Sequence, residues 1–399
     1  MFKMKKEFKV NLPLVLVLLF MSSLNSLVAQ PKMDAKAIWK KIEPFFSVPA
    51  EYKNQYGKYN SPLKFYDGSP VKTREDWQRR REEILGRWHE MMGVWPPLIK
   101  DQEMEITEST RKDGYTLHHI KFYWTRNDQT EGYLLVPDGE GKKPAVITVF
   151  YEPETAAGFG RPTPDLDFAY QLTKRGFVTL SIGTKETTNS KTYSLYYPNI
   201  ENSQVQPLSL LAYAAANSWY VLSKVPEVDS TRIGIMGLSY GGKWAMFASC
   251  MFDKFASAVW SDGGIVFDEL RSNANYWEPW YLGYYPPPWN HTWRKKGLIS
   301  EAKGLYPKLI AEGYDLHELH ALMAARPFLV SGGSLDTPER WIPLNHTIAV
   351  NKLLGFENRV AMTNRLTHLP NSESNEQAYL FLEYFLKYNK ISEKSNVKQ

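Results

Sequence analysis

Between residue 145 and residue 388, short runs made mostly of apolar residues alternate with helical stretches. One junction in this series is punctuated by Gly237-Leu238-Ser239-Tyr240-Gly241-Gly242. An apolar strand, Arg232 to Met236, runs directly into that turn, and a helical stretch, Lys243 to Met251, leaves it. Flanking strands are expected at residues 145–150, 177–182, 256–260, 327–331 and 359–363. Helices are expected at 167–175, 208–222, 338–354 and 373–388. Strands this apolar have no solvent face, so the alternation predicts a mostly parallel central sheet flanked by helices. With 43% hydrophobic and 23% charged residues, the 399-residue chain has an ordinary globular composition.

Upstream, residues 30 to 70 read as irregular, broken by Pro31, Pro44, Pro49 and Pro62. Thr73 to Met92 reads as a helix with Thr73 as N-cap and Trp77, Ile84, Trp88 and Met91 on one face. Strands are expected at 103–107, 116–124 and 132–136. The expected divisions are a leader at 1–29, an N-terminal helical extension at 30–100 and a main domain at 101–390. Within the main domain a cap insertion is expected at 264–322.

The chemistry centres on the G-x-S-x-G turn. Such a turn lifts a serine onto a strained corner between strand and helix, and side chains at the flanking positions would strike neighbouring backbone. Ser239 is the expected nucleophile. A serine of this kind needs a histidine base and a carboxylate, arriving later in chain order. Of eight histidines, His368 alone follows the last predicted strand, in Arg365-Leu366-Thr367-His368-Leu369-Pro370. Two aspartates compete for the acid role: Asp336, after strand 327–331, and Asp262, after strand 256–260. Asp336 is preferred, because the loop beyond Asp262 leads into the insertion. The expected oxyanion donors are the backbone N–H groups of Tyr240 and of Tyr151 or Glu152, with Tyr151 chosen; Pro153 has no N–H to give.

Other motifs carry less. Gly237-x4-Gly242-Lys243 imitates a phosphate-binding loop, but Trp244 stands where a magnesium-holding Ser or Thr belongs. His317-Glu318-Leu319-His320 spaces its histidines three apart rather than the four of a zinc helix, and His118 and His119 point to opposite faces of a strand. No metal or cofactor is expected. The insertion carries Tyr276, Trp277, Trp280, Tyr281, Tyr284, Tyr285, Trp289 and Trp293. Most should form its own core; Trp277 and Trp280, with Lys243, are the expected substrate contacts, and Arg271 and Glu278 are further polar candidates.

The chain carries a formal charge of +5, of which residues 1–29 contribute +3. The remaining +2, without a basic stripe, argues against nucleic acid as a partner. The Lys-rich start, the apolar run Leu12 to Met21 and the ending Leu27-Val28-Ala29 have the pattern of a signal peptide cut after Ala29. Ten apolar residues are too few for a span needing about 20, so no anchor should remain after cleavage. The lone Cys250 forms no intramolecular disulfide. The expected location is the periplasm or the medium.

Four segments carry a resemblance to a known family: Trp77-x-x-Arg80-Arg81, Val228-Asp229-Ser230-Thr231-Arg232-Ile233, Ala324-Ala325-Arg326-Pro327-Phe328-Leu329-Val330 and Arg365–Pro370. Together with the elbow they make residues 70 to 390 resemble bacterial α/β-hydrolases of the acetyl xylan esterase and dienelactone hydrolase type, close to a secreted carbohydrate-esterase group. The Trp-Arg-Arg helix and Gly242-Lys243 also resemble glucuronoyl esterases, which carry Arg after the nucleophile where this chain has Tyr240. The resemblance implies an α/β-hydrolase fold and a secreted serine carboxylesterase acting on ester groups of polysaccharides or oligosaccharides. Two other readings stand beside it. One is a serine exopeptidase of the prolyl-oligopeptidase type, which normally carries a propeller far larger than the region before residue 145. The other is a non-catalytic glycan-binding homologue. The sequence does not define the oligomeric state.

Overall fold

The computed structural model describes residues 33–160, 165–271, 274–289 and 301–388. The leader at 1–29, its cut site and Trp293 lie outside the described residues. Residues from 35 onward form one compact unit, so extension and insertion belong to the same body as the sheet.

Among the described residues nine strands make one sheet: β1 (Glu105–Lys112), β2 (Tyr115–Tyr123), β3 (Gln129–Pro137), β4 (Lys143–Phe150), β5 (Val178–Gly183), β6 (Val228–Leu238), β7 (Ser257–Ser261), β8 (Phe328–Gly332) and β9 (Val360–Asn364). Their order is β1-β2-β3-β5-β4-β6-β7-β8-β9. The first three are antiparallel, and β3 pairs antiparallel with β5. From β5 onward every pairing is parallel. Strands β5, β7 and β8 are buried along their whole length, as both-face coverage demands. The expected elements all form, with ends moved by a few residues. β6 is the largest extension, starting at Val228 rather than Arg232.

The sequence order reverses around β4, whose neighbours are β5 on one side and β6 on the other. Loops leaving β4 and β6 therefore diverge and open a crevice at their carboxyl ends. Tyr151 follows β4 and Ser239 follows β6, so both lie at that crevice.

Among the described residues, the stretch expected to be irregular holds an α-helix, Ala35–Ile42, which buries Ile38 and Ile42, followed by a 3-10 turn, Glu43–Phe46. The helix Arg74–Met92 begins with a capping box: Thr73 accepts from the Asp76 N–H and Asp76 accepts from the Thr73 N–H. Its buried residues are Trp77, Arg80, Ile84, Trp88 and Met92, three or four apart along one face. Met92 occupies the place expected for Met91, and Arg80 joins the face through a buried ion pair. The Arg80 guanidinium lies 3.1 Å from Glu318 Oε1, both side chains almost fully enclosed. Glu318 also accepts from Tyr66 Oη at 2.9 Å and Trp88 Nε1 at 3.2 Å. A neighbouring set of bonds fixes residues 52–60: His317 Nε2 to Asn60 O at 2.6 Å, His346 Nε2 to Tyr56 O at 2.9 Å, and Asn345 to Tyr52 O and Gln55 O. The extension is thus docked by buried polar groups as well as apolar packing.

Candidate functional site

Ser239 sits at φ 56° and ψ −112°, on the corner between β6 and the helix Tyr240–Met251. A left-handed φ in a non-glycine residue is strained, and it lifts the side chain out of both elements. The corner closes because its glycines let backbone approach backbone. A Cβ on Gly237 would lie 2.2 Å from Gly241 O, and one on Gly241 would lie 2.0 Å from Val149 O. Any other residue at either place pushes the turn apart. The Ser239 N–H donates to Ser261 O at 2.8 Å, which ties the corner to the end of β7.

His368 follows β9, and its Nε2 lies 2.8 Å from Ser239 Oγ. Its Nδ1 lies 2.7 Å from Asp262 Oδ2. With Asp262 accepting from Nδ1–H, Nε2 is left to accept the serine hydroxyl proton. The His368 loop is braced by Arg365, which donates to His368 O at 2.6 Å, Leu369 O at 3.0 Å, Ser331 O at 2.8 Å and Ser261 Oγ at 3.2 Å.

The carboxylate beside the imidazole is therefore Asp262, not Asp336. The physical reason lies in the turn after β7. Asp262 adopts φ 43°, and its fully buried side chain turns toward the end of β8. There Oδ1 accepts the N–H groups of Gly333 at 2.7 Å, Leu335 at 3.0 Å and Asp336 at 2.9 Å, leaving Oδ2 for His368. Asp336 is also fully buried but faces the other loop. Its oxygens accept from Gly264 N at 2.8 Å and Ile265 N at 2.7 Å, and the Arg340 guanidinium stands 3.7 Å away. Burial alone would raise Asp262. The bond from His368, the Asp336 N–H and the His368 and Arg365 charges outweigh it, and Asp262 stays below the usual aspartate value. Burial and the charge of Asp262 push Asp336 the other way, above that value, against Arg340 and its two backbone donors.

Tyr240 is the first residue of its helix, where N–H groups have no intrahelical acceptor, and it adjoins Ser239. Tyr151 follows β4, and its ring stacks on that of Tyr240 with centroids 4.6 Å apart and planes 11° apart. The Tyr240 side chain is turned inward: its hydroxyl donates to Tyr193 O at 2.6 Å and accepts from Thr184 Oγ1 at 3.1 Å.

The substrate-contact expectations fare differently. Trp277 is 1% exposed and meets Tyr306 edge-on, and Trp280 is 4% exposed, between Tyr193 and Trp289. Both rings are packing residues of the insertion rather than walls of an open cleft. Lys243 is likewise enclosed: its Nζ donates to Gly263 O at 2.5 Å and stands 4.9 Å from the centroid of Tyr276. Burial pushes its ammonium down to about 8, against the pull of Asp336 and Asp262. Arg271 braces the β8 loop, donating to Ser334 O at 2.8 Å and Thr337 Oγ1 at 3.3 Å. Glu278 is buried. Both histidines of the zinc-like stretch are buried, His317 Nε2 bonded to Asn60 O and the His320 ring 5.3 Å from that of Trp260. The sequence gives Arg365 no role of its own; its place three residues before the base is the signal that could have found it.

Sheet order, elbow and the loops of residues 239, 262 and 368 define the α/β-hydrolase fold. The chain is 25% identical over 214 residues to the 4-O-methyl-glucuronoyl methylesterase of Schizophyllum commune, a match covering 51% of this chain and 49% of that one. The chain thus spans about half the length of this curated relative. Among solved structures it is similar to a glucuronoyl esterase from Solibacter usitatus, with TM-score 0.64 and 17% identity over 84% of this chain and 99% of that one. It is also similar to a putative acetyl xylan esterase from Bacteroides fragilis, with TM-score 0.52 and 13% identity over 84% and 88% of the two chains. No family profile matches the chain.

Proposed function

We propose that this protein is a serine carboxylesterase that hydrolyses ester groups on polysaccharides or oligosaccharides. The observation that carries the reading is the hydrogen-bonded series Ser239 Oγ, His368 Nε2, His368 Nδ1, Asp262 Oδ2, with links of 2.8 and 2.7 Å at a strained elbow. Its likeness to esterases named for glucuronoyl and acetyl xylan substrates supports the carbohydrate ester as substrate class.

In this reading Ser239 Oγ attacks the ester carbonyl while His368 Nε2 takes its proton. Asp262 keeps Nδ1 protonated and stabilises the imidazolium that forms. The tetrahedral oxyanion is held by the N–H groups of Tyr240 and Tyr151, which act without reorganising. Collapse breaks the bond to the alcohol, which receives the proton from His368 and leaves a Ser239 acyl ester. Water, deprotonated by His368, then releases the acid. The leader at 1–29 is proposed to direct export, with a mature chain beginning at Gln30.

The test is hydrolysis of p-nitrophenyl acetate, acetylated xylo-oligosaccharides and methyl glucuronate by wild type and Ser239→Ala. Loss of all turnover in the variant, with at least one sugar ester hydrolysed by wild type, is expected. A wild type inert toward every ester, or an undiminished Ser239→Ala, overturns the reading.

A further inference from the structure

We infer that the antiparallel edge of the sheet carries a binding groove for a neutral glycan chain, beginning at the rim of the catalytic crevice. The ligand class rests on the carbohydrate-esterase reading above; the groove itself is argued from its own chemistry.

Two adjoining cavities, of about 680 and about 570 Å³, lie along one face of β1–β3 and share His119 and Tyr133. Each is within the size range of ordinary ligand sites. The floor is made by two cross-strand pairs, His119 opposite Tyr133 and Lys121 opposite Glu131. Residues 119 and 121, like 131 and 133, fall on one face because strand side chains alternate. Facing this floor is a wall from the segments after β4 and β5, where Lys185 is paired with Glu154. At the far end stand Phe159 and Tyr170.

The near end abuts the crevice. Pro153 and Glu154, lining the first cavity, come two and three residues after Tyr151. Thr184, another lining residue, donates to the Tyr240 hydroxyl. The groove and the crevice thus share the loop that follows β4.

The lining selects the ligand. Two of its lysines are paired, Lys121 Nζ 2.7 Å from Glu131 Oε1 and Lys185 on Glu154, and with Asp128, Glu186 and Glu108 also in the lining the acids outnumber the lysines five to three. An excess of acids repels a polyanion, while the carboxylate lone pairs and the ammonium N–H groups suit the vicinal hydroxyls of a neutral sugar. Between them stand aromatic rings. Phe159 meets Tyr133 edge-on at 4.6 Å and Tyr115 meets Tyr170 at 5.9 Å. Phe159 is 48% exposed, an apolar surface left open among the described residues. Flat apolar faces alternating with hydroxyl-binding groups describe a run of uncharged pyranose rings better than a lipid, which has no use for the ion pairs.

The experiment uses the full chain carrying Ser239→Ala, so that binding is read without turnover, and unesterified xylohexaose as the probe in calorimetric titration. Phe159→Ala and Lys185→Ala, each added to that background, should weaken binding ten-fold or more. His118→Ala, on the opposite face of β2, should leave it unchanged. Unaltered melting temperatures exclude unfolding as the cause. Absence of xylohexaose binding at millimolar concentration, or affinity indifferent to Phe159 and Lys185, overturns the groove. If wild type hydrolyses no ester but xylohexaose still binds through Phe159, the esterase reading fails and the groove stands.

Discussion

The Asp262 carboxylate accepts the backbone N–H of Asp336 at 2.9 Å, while the Asp336 carboxylate accepts those of Gly264 and Ile265, two and three residues beyond Asp262. The loops after β7 and β8 are thus cross-braced, each by the other's aspartate. Of the two aspartates, Asp262 is the one bonded to the imidazole. Because Asp262 directs Oδ1 to three amides, Oδ2 is fixed in place for His368 at 2.7 Å. Asp336 holds the bracing role, and through the bonds from residues 264 and 265 it fixes the exit of the Asp262 turn.

Replacing the two aspartates separates these roles. Asp262→Asn removes the carboxylate that sets the imidazole tautomer and should lower kcat on p-nitrophenyl acetate by about 10⁴-fold. Asp336→Asn keeps one acceptor but turns an amide N–H toward a backbone N–H, costing about 1–3 kcal/mol of stability. Its kcat should fall far less. Steady-state kinetics and urea denaturation of both variants decide the matter. A dead Asp336→Asn beside a nearly normal Asp262→Asn would reverse the assignment.

The preference for Asp336 shows where sequence reasoning runs out. Chain order and strand position place both aspartates at the carboxyl edge of adjacent strands, and nothing in residue type separates them. What separates them is the φ of 43° at Asp262 and the amides of a loop seventy residues later. Ser239 and His368 were legible because each has a local signature: glycines forced by backbone approach for one, and the last loop before the closing helix for the other. The sheet was legible for a similar reason, since strands buried on both faces leave uninterrupted apolar runs such as Ala258–Trp260 and Phe328–Val330. Trp277 and Trp280 were misplaced because an aromatic-rich insertion fills its own interior before it lines a cleft. The helix Ala35–Ile42 escaped notice because Pro31 and Pro44 flank it closely, leaving only eight residues of pattern.

Glu318 should matter to folding rather than to chemistry. Removing it in Glu318→Ala strips Arg80, Trp88 and Tyr66 of a shared buried acceptor. Breaking one side of a buried pair typically costs about 3–5 kcal/mol. The expected result is a large drop in the urea midpoint, while protein that remains folded keeps its kcat on p-nitrophenyl acetate. An unchanged midpoint would show that the extension is held by apolar packing alone.

Export is checked by mass spectrometry of protein recovered from a bacterial host. The expected N-terminus is Gln30, following the cut after Ala29. A membrane-bound product that keeps Met1 to Ala29 would instead indicate an anchor.

Stability should fall on mild acidification, beginning where residues 56–60 meet His317 and His346. Burial, opposed by the bond to Asn60 O and assisted by the charges of His346 and Arg80, pushes His317 down to about 3. Burial also lowers His346, against its bond to Tyr56 O. An unfolded histidine titrates near about 6.5. Between that value and the folded one the unfolded chain binds the extra proton, so stability rises with pH through this window and falls as pH is lowered. A single histidine of this kind contributes a slope of at most roughly 1.4 kcal/mol per pH unit. In His317→Gln the side-chain amide can replace the Nε2–H donor to Asn60 O without taking up a proton. Urea unfolding at pH 7, 6 and 5 should therefore show a shallower acid loss in His317→Gln than in wild type. Identical slopes in the two proteins would place the acid sensitivity elsewhere in the fold.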